Sequence, residues 1–164
     1  MFLTTHAVIA SSVFSYFPSL SNGLVFLMSF LSHFLLDFIP HGDENLIDKS
    51  WSRKKKILAL LFIGLFDLFF LLVFFVWFYD RMVVDMGRLI IIIFGSILPD
   101  GLQFLFFIFS GKENFFTKAL GSLQLIHMKL HHFALDRFNF ALTIKQGVLL
   151  QITLIVAAVL LVIK

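Results

Sequence analysis

Residues 57–79, ILALLFIGLFDLFFLLVFFVWFY, run for 23 residues with a single charge, Asp67, between the basic run Arg53-Lys54-Lys55-Lys56 and the aromatic pair Trp77 and Tyr79. At about 1.5 Å per residue such a run crosses a hydrocarbon core of roughly 30 Å as a helix. Inside hydrocarbon the backbone must satisfy itself, which leaves helices or closed barrels. One unbroken run of this length therefore selects an all-α membrane bundle. The rest of the chain agrees: 60% of residues are apolar, 24 of 164 are phenylalanine, and the mean hydropathy is +0.99, far from a soluble domain. The length suits one integral membrane domain over 1–164 and leaves no room for a separate soluble one.

Charge orients the rest. By the positive-inside rule the Arg53–Lys56 end is cytoplasmic. Working outward from it, hydrophobic helices are expected over 5–17, 20–39, 57–79, 83–110 and 147–163, with the N-terminus on the cytoplasmic side. The first is short. Its 13 residues rise about 20 Å, so it is tilted, re-entrant or packed inside the bundle. The fourth carries Gly95, Ser96, Pro99 and Gly101 around Asp100, which predicts a kinked or discontinuous helix. Between the fourth and fifth, Lys112, Lys118, Lys129, Arg137 and Lys145 outnumber Glu113 and Asp136, so this segment is cytoplasmic too. Within it Phe116, Leu120, Leu123, His127, Leu130 and Ala134 recur at helical spacing opposite Lys118, Ser122 and Lys129, predicting an interfacial amphipathic helix over 113–135. The N-terminus has no Lys or Arg before its apolar run, unlike a cleaved signal peptide, so His6 is expected in the mature protein.

Several function classes fall away. With no cysteine, disulfide scaffolds, thiolate metal sites and cysteine nucleophiles are excluded. The net charge of +3 and pI near 9.3 arise from basic residues placed between apolar runs, the distribution of a membrane protein and not of a nucleic-acid binder.

Against this background the stretch SHFLLDFIPHGD stands out, with His33, Asp37, His41 and Asp43 where apolar residues are expected. Ionisable groups at such positions are expensive and mark function or tight pairing. Asn22, Ser29, His33 and Asp37 share about a quarter of the circumference of one helix. His127 and His131 repeat the one-turn spacing elsewhere, and the threading brings all six histidines toward one side. Imidazole and carboxylate at this spacing are ligands for a divalent transition metal, zinc first, manganese or iron next, because imidazole-rich sets suit these over magnesium or calcium. The candidate ligands are His6, His33, Asp37, Asp100, His127 and His131. His41 and Asp43 are further ligands or groups that orient them.

Plainer readings stand beside these. His6 is equally a helix-end residue, His132 a solvated one, and His33 with Asp37 an interhelical hydrogen-bonded pair. Asp43 and Glu44 suit an ordinary polar loop, and Asp100 can cap a helix that begins at Gly101. Asp67 lies too deep for the cluster and reads as a partner for Arg81 or Arg88, a proton relay or a neutral acid.

Thr5-His6, FLSHFLLDFIPHGD at 30–43 and ILPDGLQ at 97–103 together resemble a family of small bacterial inner-membrane proteins, the membrane-bound metal-dependent hydrolases, distant relatives of zinc-dependent phospholipase C. The motifs cover about a fifth of the chain. The resemblance implies an inner-membrane location and carries His6, His33, Asp37 and Asp100 over as ligands. HMKLHHF at 127–133 stands where that family has Arg-x-x-Thr-His-Ser, and here the Ser-His block precedes the Leu-Pro-Asp block. It further implies a hydrolase, without a defined substrate. The clustered His and Asp residues lead to the expectation of a phosphoester of a lipid or lipid-linked substrate at the cytoplasmic leaflet, with Lys129 or Arg137 neutralising the phosphate. The alternatives are a non-catalytic protein that binds or conducts metal or protons, and a structural bundle glued by His and Asp hydrogen bonds.

Overall fold

The computed structural model describes residues 1–42, 46–48, 50–79, 81, 85–109, 114–138 and 142–162, with the backbone alone at 78, 131, 132, 134–136 and 138. Among these residues the fold is all-helical: α1 (Leu3–Phe14), α2 (Asn22–Asp37), α3 (Arg53–Tyr79), α4 (Met86–Phe109), α5 (Phe115–Phe138) and α6 (Ile144–Val162). Three stretches, Arg53–Trp77, Met86–Phe109 and Ile144–Val162, are long and apolar enough to cross a membrane. The two leading helices have 12 and 16 residues and fall short of that length.

The sequence of α1, LTTHAVIASSVF, explains its place. Nine of its twelve residues are buried, and α2, α3, α4 and α6 all pack on it. Threonine, serine and alanine let four helices approach one axis, since close approach drives association where burial from water cannot. The surrounding helices put their bulk outward. On α3, Phe62, Phe66 and Phe69 are 60–71% exposed, in the manner of a lipid-facing surface.

Two arginines tie the ends. Arg88, itself buried, donates to the Phe17 and Leu20 carbonyls (2.6 and 2.8 Å) and closes the α1–α2 turn onto the start of α4. Arg53 donates to the Phe107 and Ile108 carbonyls (3.1 and 2.8 Å), among the last of α4, which lack partners of their own. Helices α3 and α4 therefore run antiparallel, and α2 runs parallel to α4. A β-carbon added at Gly95 of α4 would lie 2.9 Å from the Phe26 carbonyl oxygen of α2, so only glycine permits this approach.

Helix α4 is continuous from Met86 to Phe109 with Pro99 inside it, which sets aside the discontinuous of the two expected forms. Proline removes one amide donor and crowds the preceding turn, but the flanking residues keep helical pairing. Asp100 is accordingly a mid-helix residue and not the cap of a new helix. Helix α5, Phe115–Phe138, covers most of the stretch expected as a helix and packs on α4. Phe116 meets Phe109 and Gly121 meets Phe106, the falling register of a helix packed antiparallel along the second half of α4. Its inner stripe carries the buried Thr117, Leu120 and His127, and a histidine on that stripe needs a polar partner that the α2–α4 side supplies.

Candidate metal centre

Helix α2 begins at Ser21, whose hydroxyl accepts from the Leu24 amide, and it ends on Asp37. One turn apart, His33 and Asp37 face the same way, with the His33 Nε2 3.1 Å from Asp37 Oδ2. Two other helices deliver to the same carboxylate. From α5, His127 Nε2 lies 2.8 Å from Oδ2, and from α1, His6 Nε2 lies 3.2 Å from Oδ1. The backbone nitrogen of Met1 is 3.5 Å from Oδ1. The rings of His6 and His33 stack at 4.0 Å, and His33 meets His127 edge-on. From α4, Asp100 Oδ1 stands 3.5 Å from His33 Nε2. The four groups on α1, α2 and α5 are almost wholly buried, whereas the Asp100 side chain is 24% exposed.

The proton on His33 can be placed. Its Nδ1 lies 2.8 Å from the Ser96 carbonyl oxygen, which only accepts, so Nδ1 carries the hydrogen. In the neutral ring Nε2 is then a lone pair, and it faces two carboxylate oxygens that have nothing to donate. Among the described residues His33 Nε2, Asp37 Oδ1 and both nitrogens of His6 are buried without a hydrogen-bond partner. Buried polar atoms are rarely left so. A cation at their centre satisfies His33 Nε2, Asp37 Oδ1 and one nitrogen of His6, and a carbonyl-anchored Nδ1–H is the usual support of a ligating imidazole.

The spacing fits an ion. His6, His33 and Asp37 form one group, and His33, Asp100 and His127 a second, with one ligand atom from each residue lying within 4.8 Å of the others in its group. Four ligands about 2.0–2.2 Å from a tetrahedral centre are separated by roughly 3.3–3.6 Å, close to the separations here. Nitrogen and oxygen donors without thiolate suit zinc, manganese or iron.

Of the residues singled out by sequence, five converge: His6, His33, Asp37, Asp100 and His127. His41 belongs to neither group. It is buried beside the cluster, donates from Nδ1 to the Ile39 carbonyl (2.7 Å) and has Nε2 2.5 Å from the Met1 nitrogen, so it organises the turn after α2. Asp43 and the side chain of His131 lie outside the described residues. Lys129 and Arg137 are exposed, and Lys129, two positions beyond the inward His127, projects to the opposite face of α5.

Sequence reasoning missed the residues that support the cluster. Asp67 is paired with neither arginine: it accepts from the Thr4 hydroxyl (2.6 Å) and from the Leu3 and Thr4 amides at the open start of α1. Gln151 of α6 accepts from the Phe2 amide (2.8 Å) and the Thr5 hydroxyl (3.2 Å). The signal for both was isolation, a single carboxylate inside α3 and a lone amide in the apolar centre of α6. Gly147 adds a close approach, since a β-carbon there would lie 1.8 Å from the His41 carbonyl oxygen.

Comparison with family models, curated proteins and solved structures gives no significant match to this chain.

Proposed function

We propose that this chain is a membrane-embedded metal-dependent hydrolase that holds one divalent transition ion, zinc by preference, and acts on a phosphoester of a lipid or lipid-linked substrate. The observation that carries the reading is the His33 lone pair aimed at two carboxylates, with its other nitrogen fixed on the Ser96 carbonyl. His6, His33, Asp37 and His127 would hold the ion. Bound there, it would supply Lewis acidity and a water made acidic enough to deprotonate near neutral pH.

The chain's own groups divide the remaining work. The buried imidazoles exclude water from one side of the cluster, and the Asp100 carboxylate, the only partly exposed member, faces the side from which a substrate enters. It is placed to accept a proton there. Lys129 and Arg137, exposed along α5, suit attraction of anionic headgroups to the surface more than contact with the reacting phosphate. The positive-inside rule favours a cytoplasmic Arg53–Lys56 end, and the family resemblance favours a bacterial inner membrane. Asp67, which favoured a conducting path, is engaged in capping α1.

Elemental analysis of detergent-purified protein tests the metal, and headgroup release from phospholipid micelles with and without EDTA tests the chemistry. About one zinc per chain and EDTA-sensitive turnover are expected. A second reading draws on the same lone pair: a proton in place of the ion makes His33 a cationic link in a purely structural bundle. Protein without stoichiometric metal, whose thermal unfolding ignores EDTA, would establish that reading instead.

A further inference from the structure

Two buried polar groups outside the cluster, Asp67 and Gln151, both end at the same place. Helix α1 begins beside them, partway along α3 and α6, and not at either end of those helices. The first amides of any helix lack intrahelical partners, and at membrane depth no water replaces them. Gln151 takes the Phe2 amide, and Asp67 takes the Leu3 and Thr4 amides. Each also accepts a hydroxyl, Thr4 onto Asp67 and Thr5 onto Gln151. The adjacent threonines thus point at different helices. Grips on two sides fix both the height of α1 and its rotation about its own axis.

The next residue is His6. It reaches Asp37 at 3.2 Å and stacks on His33, yet neither ring nitrogen has a hydrogen bond to a described residue. Unlike His33, its ring is not anchored by a carbonyl, so its aim depends on where α1 is held. Gln151 also extends its Nε2 to 3.5 Å from the His41 carbonyl oxygen, joining the start of α1 to the turn that follows Asp37.

We propose that Asp67 and Gln151 are positioning residues for the metal centre, clamping the start of α1 so that His6 meets the ion. This rests on the metal reading above. The clamp accounts for an intramembrane carboxylate by coordination geometry, with no transported proton or ion.

A double-mutant cycle tests it, reading zinc affinity of the full-length protein in detergent by competition with a chromophoric chelator. Asp67→Leu is expected to weaken zinc roughly tenfold or more, in the range of lost supports to metal ligands. Asp67→Asn keeps an acceptor oxygen and is expected to stay within about threefold. In a His6→Ala background Asp67→Leu is expected to cost nothing further, because the ligand it positions is gone. Should the leucine variant fail to assemble, Gln151→Leu runs the same cycle. Equal losses with and without His6 overturn the clamp and leave the metal reading standing, as does unchanged affinity in a folded Asp67→Leu protein. Wild-type protein that binds no zinc overturns both.

Discussion

Helices α1 and α3 are both apolar by composition, and the bundle uses them in opposite ways. Helix α3 is 27 residues, most with large side chains, and it turns Phe62, Phe66, Phe69 and Phe70 outward. Helix α1 is 12 residues, half of them threonine, alanine or serine, buried on almost every side. In water the bulky helix would be the core. In a bilayer, tails solvate phenylalanine as well as a protein interior does, so the inside falls to residues that pack closely and hydrogen-bond. The cluster follows from that inversion. A helix of small residues admits partners on all sides, which brings His6 into contact with groups from α2 and into the same cluster as groups from α4 and α5.

The sharpest way to break this contrast is to remove the hub of the inner region. Asp37 is approached by three imidazoles on three helices, so Asp37→Ala is expected to reduce bound zinc from about one per chain to below a tenth of that, by elemental analysis after gel filtration. Retention of a full equivalent in this variant would move the metal, if any, elsewhere. Next in size is Gly147→Ala. Its β-carbon would land 1.8 Å from the His41 carbonyl oxygen, so α6 must back away from the turn below the cluster. A loss of about 3 kcal/mol of stability is expected, seen as a lower unfolding midpoint in a detergent thermal-shift assay.

These two sites show what the sequence discloses and what it hides. Asp37 was legible because His33 sits one turn before it, and spacing along one helix is a local signal. His6, Asp100 and His127 were legible as chemistry, since histidine and aspartate are conspicuous among phenylalanines. Gly147 was not, because a close approach between α6 and a turn 106 positions earlier leaves no periodic trace. Nor was the role of Asp67, whose hydrogen bonds reach back 63 and 64 positions to α1. The discontinuous form expected for α4 failed for a related reason. Proline reads as a break in a lone helix, while here α2 packs along the same turn, and the His33 Nδ1–H takes up a carbonyl of it.

A milder probe acts on the whole cluster. Imidazole ligates only when its donor nitrogen is deprotonated, so protons compete with the ion. Zinc occupancy is expected to be full at neutral pH and to fall on acidification as protons compete for the imidazole nitrogens, measured by dialysis at stepped pH. Helical content by circular dichroism is expected to hold at the pH where zinc is half lost, because α3, α4 and α6 contribute no ligand. Occupancy that is flat down to pH 4 would rule out a histidine-dominated set.

The smallest effects separate the two helices most cleanly. On α1, Ser11 is fully buried with its hydroxyl unpartnered among the described residues. The site thus demands smallness and gains little from the oxygen: Ser11→Leu is expected to cost about 2 kcal/mol by overpacking, and Ser11→Ala to be neutral or slightly stabilising. On α3, Phe69 is 60% exposed, and Phe69→Leu exchanges one tail-facing surface for another. Its effect on the unfolding midpoint is expected to be equivalent to less than about 0.5 kcal/mol. A loss above about 1 kcal/mol at Phe69 would mean that this face meets protein and not lipid, and the inversion that distinguishes α1 from α3 would then stop at α3.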